Sequence, residues 1–524
     1  MLLLLLAVLL AGCAVGPSRR PPVATVNSDE PAAPATSSAL PPAPPPSLLP
    51  PLIASSPQLD FTECTAGQLS RLGGAAVLGG RDLRFGCATV PVGGGYASGS
   101  ATSAAEVDVT RVSLGPAPAV PTVPIAVLGD PGRRTGVEQA VRLAARAPAE
   151  LLDGRTLYGI DVRGASAGGV DCITPSTRAA ISDADPAAAD PVALAPLAAA
   201  AATAARTCSQ LLEDSLTEYG TATDADDLEE VRRALGAVRL HAVGLGGGAA
   251  TLARWAQSHP DQQGRLVLDA LPDPTAAAGL TADQRGDAAR RALDAFAQNC
   301  VATGCALGAD PRGAVADLVA RLRGSPLVAP PTATGSVPGR RVTAGTVVSV
   351  LVPGLADPDS WPTLASALAG ARGGDPTGLL ALSEQNENEG GFDLGLVSAC
   401  NDESERPTID QVAQAAARAR ATDPVFGGWF AQRALVCSSW PVPTEQPTPF
   451  AGTAVPTVLL GTSADPLVPL AESQRVAAGM QSSALVSWLG TGHGAYPATP
   501  CISGVVDDYL LREDVPREET VCPP

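Results

Sequence analysis

Two residues near the C-terminal end have the types and surroundings needed for acid–base chemistry. Asp465 follows the apolar run PTVLLGTSA, and His493 sits between glycines in Gly492-His493-Gly494, 28 residues later. A carboxylate that orients an imidazole, and an imidazole that moves a proton, are two members of a nucleophilic triad. The missing member is expected upstream, on a strand-to-helix turn whose strained backbone projects the attacking atom. A turn of that form is present: LHAV leads into Gly244-Leu245-Gly246-Gly247-Gly248 and then into ATLARWAQ. Its central residue is Gly246, which offers no oxygen, sulfur or carboxylate to attack a carbonyl.

Other readings of these residues compete. Gly244-x-Gly246-x-x-Ala249 also fits a dinucleotide-binding turn, and Asp269 ends the next strand 25 residues beyond Gly244, near the ~20 expected for a ribose-binding acid. Against it, the motif lies deep in the chain instead of opening a domain. Ser166 and Ser463 are alternative nucleophiles, but neither has the setting of an elbow. Of the remaining histidines, His241 is expected in the strand before the turn and His259 at an exposed helix end.

The elements that must hold these residues alternate. Strand character marks 106–114, 122–129, 155–164, 240–243 and 265–274, with helical apolar spacing between them. Strands alternating with helices predict an α/β fold with a mostly parallel sheet covered on both faces. From 275 to 440 the pattern is helical, which predicts an inserted cap; strand character returns at 454–470 and 484–496. The expected organisation is therefore a core in two parts, 58–274 and 441–524, around a cap at 275–440.

At this point the sequence resembles secreted actinobacterial α/β-hydrolases of the tripeptidyl aminopeptidase type, with their TAP-like C-terminal segment. The resemblance rests on CATVPV (87–92), DVRG (161–164), TEYGTATDADDLEEVRRALG, RLVLDALPDP, SWPTLASAL, Cys400-Asn401-Asp402, the Asp465 and His493 motifs and the closing cysteine pair, in that order. It implies an α/β-hydrolase fold with Asp465 and His493 in the acid and histidine positions of the triad. Gly246 then stands in the nucleophile position, where the family typically has the serine of G-x-S-Y-G. The region of the GGPG-type oxyanion loop reads Gly129-Asp130-Pro131-Gly132. An aspartate there puts negative charge where a transition state would develop it, opposite to what lowers the barrier.

The bulk composition narrows the rest. The 524 residues carry a net charge of −18, which argues against nucleic acid, whose phosphates require a basic partner. The N-terminus, MLLLLLAVLLAGC, ends in Leu10-Ala11-Gly12-Cys13 and resembles a bacterial lipobox with Cys13 as lipid anchor; its apolar run is shorter than the ~20 residues that span a bilayer. Residues 14–57 are rich in proline and poor in large apolar side chains, so they read as a tether. Ten further cysteines suit an oxidising compartment. Taken in order they suggest Cys64 with Cys87, Cys172 with Cys208, Cys300 with Cys305, Cys400 with Cys437 and Cys501 with Cys522, although sequence alone leaves other connectivities open. No C-x-x-C pair and no histidine beside a cysteine points to zinc, and no cofactor is expected.

Together these features predict an exported, lipid-anchored α/β-hydrolase-fold protein that binds a peptide or small ligand between core and cap without ordinary serine-hydrolase activity. A working peptidase or esterase with an unusual nucleophile is the first alternative, and dinucleotide binding at Gly244 is the second.

Overall fold

The innermost strands are buried along their whole length, as expected where both faces of a sheet are covered. LHAVGL (β6, Leu240–Leu245) and QGRLVLD (β7, Gln263–Asp269) are buried at every position. A computed structural model describes residues 48–93, 105–165, 169–329, 339–388, 391–444, 446–517 and 519–524. Cys13, most of the expected tether and Ser166 lie outside the described residues.

The remaining strands are β1 (Thr62–Glu63), β2 (Leu83–Val92), β3 (Ala105–Leu114), β4 (Val123–Leu128), β5 (Arg155–Ile160), β8 (Leu327–Val328), β9 (Arg341–Val342), β10 (Thr457–Ala464), β11 (Ser483–Thr491) and β12 (Thr520–Cys522). The central sheet runs β1-β2-β3-β5-β4-β6-β7-β10-β11-β12. From β5 to β12 every neighbouring pair is parallel, whereas β1, β2 and β3 pair antiparallel at one edge. This is the mostly parallel sheet that the alternation of strands and helices predicts. Register fixes the site. Leu128 pairs with Gly244, Leu245 with Asp269, and Leu460 with Asp269, so the loops after β4, β6, β7 and β10 leave from one rim. Ligand sites of open parallel sheets lie beyond the carboxyl ends of the strands.

Two apolar clusters cover the two faces of the sheet, one built around Val127, Val243 and Val267 and the other around Ala126, Ala242 and Leu268. A third cluster fills the cap among Ala278–Thr303, Pro311–Gly324, Ala344–Ala356 and Trp361–Arg372. A fourth joins helices Pro175–Ser182 and Pro191–Leu212 to Gly391–Asp402 and Ile409–Thr422. The helical layer therefore also draws on the segment between β5 and β6, ahead of the 275–440 boundaries read from the sequence.

The last residues of the stretch read as a tether pack on the core. Leu49 is buried, the Pro50 carbonyl accepts from Arg265 Nε at 3.1 Å, and Ser55 forms a β-bridge with Thr122. A proline-rich stretch can still fold down where a buried guanidinium needs carbonyl acceptors, and Arg265 is such a group. The five cysteine pairs are joined in the consecutive order given above.

Candidate active site

Gly246 forms the corner between β6 and the helix Gly247–Ser258, with φ +56° and ψ −118°. A side chain is strained in this region of backbone space, and glycine enters it without a Cβ clash. The corner is pinned on both sides: Gly246 N–H donates to the Asp269 carbonyl at 2.9 Å, and Gly248 N–H donates to the Gly129 carbonyl at 3.0 Å. A Cβ added at Gly246 would lie 2.7 Å from both Cγ and Oδ1 of Asp130. The space over the corner is thus already filled by a neighbouring carboxylate.

That carboxylate comes from the turn after β4. Asp130 Oδ1 accepts the Gly247 N–H at 2.9 Å, at the first turn of the helix. A helix N-terminus favours an anion there. Asp130 Oδ2 lies 3.2 Å from His493 Nε2, an ion-pair distance whose geometry falls short of a hydrogen bond. The sequence placed Asp130 in the oxyanion-loop region but gave no sign that it would reach the elbow amide and the imidazole together. The available signal was an acidic residue two positions past a strand that neighbours a side-chain-free elbow.

On the opposite side of the ring, His493 Nδ1 donates to Asp465 Oδ2 at 2.9 Å. Asp465 Oδ1 accepts from the backbone N–H groups of Leu467 and Val468 at 2.8 and 3.1 Å, and the side chain is fully buried. Burial opposes charge on His493, but Asp465 and Asp130 outweigh it and raise its pKa to about 10. Burial likewise pushes Asp130 up, yet His493, Arg133 and the Gly247 N–H together hold it below the usual carboxylate range. The raised pKa favours the protonated ring, which has two donors and no acceptor.

Asp269 holds this arrangement in place. Its carboxylate accepts from the N–H groups of Ala495 and Tyr496, both at 2.8–2.9 Å, fixing the loop that carries His493, while its carbonyl fixes Gly246. Burial raises its pKa to about 6. A carboxylate enclosed and engaged in this way cannot reach a ribose, which removes the dinucleotide reading of the Gly244 turn. His241 is buried in β6, where its Nδ1 accepts from Arg265 N–H at 3.1 Å; burial, then Arg265, lowers its pKa to about 4. His259 ends the elbow helix with its ring stacked on Trp255 at 5.8 Å. Ser463 Oγ donates to the Gly490 carbonyl at 3.0 Å. Among the described residues no group of three or more His, Cys, Asp or Glu side chains could hold a metal ion.

The cap lies directly on this loop. Gly132 has φ +78°, and a Cβ there would meet the Gly391 carbonyl at 2.6 Å and Gly395 Cα at 2.7 Å. Backbone therefore meets backbone where the helix Gly391–Asp402 crosses Pro131-Gly132. The His493 N–H also donates into the cap, to the Ala356 carbonyl at 2.7 Å.

With the strand order, the elbow and the Asp465–His493 pair established, residues 423–522 match the family described as TAP-like protein. That C-terminal segment is therefore similar to the TAP-like family. The protein described as serine protease Hip1, from Mycobacterium bovis and from Mycobacterium tuberculosis, is 27% identical over 341 residues. The match covers 60% of this chain and 64% of that protein, so the chain spans less than two thirds of the relative's length. Among solved structures, a proline iminopeptidase from Mycobacterium smegmatis aligns over 81% of this chain and 97% of its own at 15% identity, with a TM-score of 0.34. A hydrolase from Pseudomonas aeruginosa aligns over 79% and 99% at 14% identity, with a TM-score of 0.32. The TAP-like segment contains Asp465, His493 and the Cys501–Cys522 bridge; Gly246 and Asp130 lie outside it.

Proposed function

We propose that this TAP-like protein binds a peptide or small ligand between core and cap and does not hydrolyse it. The observation that carries this reading is the position of the Asp130 carboxylate, over Gly246, on the Gly247 N–H and beside His493 Nε2. Acyl transfer by a triad needs a nucleophile, a neutral imidazole and open oxyanion donors. Here the elbow residue is glycine, the imidazole is charged, and the amide following the elbow is occupied by an anion. We also place the protein outside the cytoplasm, anchored through Cys13 to the outer face of the membrane. Five disulfides suit an oxidising compartment.

A fluorophosphonate probe tests the reading. The wild-type protein is expected to stay unlabelled; labelling that disappears in His493→Ala would overturn it. The double variant Asp130→Gly with Gly246→Ser, which clears the space before adding a hydroxyl, is expected to gain labelling, whereas Gly246→Ser alone is not.

Asp130 also supports a second reading, in which its carboxylate is itself the unusual nucleophile. Attack of the Asp130 carboxylate on an ester or amide carbonyl would break the carbon–oxygen or carbon–nitrogen bond, the His493 imidazolium would protonate the departing alcohol or amine, and the imidazole so made neutral would take a proton from the water that hydrolyses the acyl-aspartyl anhydride. An esterase or peptidase activity abolished by Asp130→Asn would favour this reading over the first.

A further inference from the structure

Two arginines and two aspartates share the wall of a cavity of about 290 Å³ in the cap. Arg290 comes from the helix Ala278–Thr303, Asp310 caps and Arg312 opens the helix Pro311–Gly324, and Asp423 lies in the turn after Ile409–Thr422. Leu293 and Phe426 add apolar surface to the same wall. Asp310 and Arg312 are exposed while Asp423 and Phe426 are buried, so the cavity runs from solvent into the cap. The Cys300–Cys305 bridge closes the turn between the first two helices. None of these residues belongs to the Asp130–His493–Asp465 arrangement.

The fold leaves part of this polar wall unused. Asp423 Oδ1 accepts the Val425 and Phe426 N–H groups, both at 2.9 Å. Asp423 Oδ2 is buried and has no hydrogen-bond partner among the described residues, and Arg290 Nη1 stands off from it at 3.8 Å. The side chain is only 6% exposed, and a buried carboxylate oxygen without a donor is costly. Arg290 gives Nη2 to Asp287, and Arg312 gives Nη1 to Asp294. A guanidinium carries five N–H donors, so each arginine has others to offer. Asp423 Oδ2 and Arg290 face each other and both residues line the cavity, so a ligand there meets a carboxylate and a guanidinium side by side.

We propose that this cavity binds a free α-amino acid with an apolar side chain, its ammonium on Asp423 Oδ2 and its carboxylate on Arg290 and Arg312. The wall carries two groups of each sign beside apolar surface, the pattern that a zwitterion with a hydrocarbon side chain complements. Charge-assisted hydrogen bonds at both ends orient the ligand, and Leu293 and Phe426 receive its side chain. A metal ion is a poorer match, because among the described residues no group of three or more ligating side chains is present. The site is separate from the cleft between core and cap and stands whether or not the elbow region is catalytic.

Calorimetry with L-leucine, isoamylamine and isocaproate tests the site on the complete disulfide-bonded protein; the amine lacks the carboxylate of leucine and the acid lacks its ammonium. L-leucine is expected to bind at least about ten-fold more tightly than either analogue. Asp423→Asn keeps an oxygen for the two turn amides and puts a donor in place of the unpartnered one, so it should weaken L-leucine at least about ten-fold. Arg312→Gln should weaken it several-fold, and Ala316→Leu, which fills the cavity from the helix Pro311–Gly324, should abolish binding. Circular dichroism confirms that the variants fold; should Asp423→Asn fail to, Arg312→Gln, at a half-exposed side chain, decides together with Ala316→Leu. No saturable heat with L-leucine, equal affinity for L-leucine and either analogue, or unchanged affinity in the folded variants would overturn the proposal.

Discussion

The two sides of His493 are built differently. On one side, Asp465 is enclosed, holds two backbone N–H groups and the imidazole, and lies within the segment that matches the TAP-like family. On the other, a carboxylate borrowed from the turn after β4 stands over an elbow with no side chain, outside that segment. The acid side keeps the carboxylate–imidazole geometry of a triad, while on the other side of the ring a glycine elbow and the Asp130 carboxylate stand together. The acid and histidine positions thus hold their mutual geometry beside an elbow that carries no side chain.

The largest test of this contrast is removal of each carboxylate in turn. Asp465→Ala leaves a buried imidazolium and two loop amides without their acceptor, so it should cost about 3–5 kcal/mol. Asp130→Ala acts at a side chain that is 17% exposed and should cost about 1–2 kcal/mol. Urea unfolding under oxidising conditions measures both; equal losses would erase the distinction between the two sides.

A smaller effect is expected from pH. The folded pKa of His493, about 10, lies above its ordinary 6.5, so its stabilisation is complete below about pH 6.5 and is lost as pH rises toward 10. Asp130 has the opposite sense: its folded pKa lies below 3.8, so its contribution is present above that value and disappears as pH falls through the folded pKa. Unfolding free energy should therefore decline from neutral to alkaline pH in wild type and decline less in His493→Gln. A flat alkaline limb in wild type would mean that the imidazole is neutral at pH 7.

A more local effect concerns the corner itself. Gly246→Ala adds a methyl 2.7 Å from Asp130 Cγ on a left-handed backbone and should cost about 2–3 kcal/mol, falling to about 1–2 kcal/mol in an Asp130→Ala background. Thermal or urea unfolding of the two pairs gives the difference. Additive losses would show that Asp130 does not crowd the elbow in solution.

Much of the frame is readable from the sequence because it is written locally. β6, β7 and β10 announce themselves through short apolar stretches, and Asp465 and His493 are each marked by a strand end and small neighbours. The consecutive cysteines pair as nearest neighbours in sequence. The reach of Asp130 is not readable, because it depends on the pairing of Leu128 with Gly244 and on the direction a turn side chain takes. Neither leaves a local pattern. The folded-down stretch around Leu49 and Pro50 is hidden for a related reason: its partner, Arg265, lies 215 residues away. Nor does the alanine-rich helix Pro191–Leu212 advertise its role in the cap, since alanine suits a packed helix and an exposed one equally.

The order of the five bridges has a consequence for how such a molecule is made. Each cysteine joins the next one along the chain, across separations of 5 to 37 residues, and no bridge encloses another. A polypeptide threaded through a membrane from its N-terminus would present each thiol to its mate before any competitor emerged. Oxidation could then keep pace with translocation, with no need to unscramble wrong pairings afterwards.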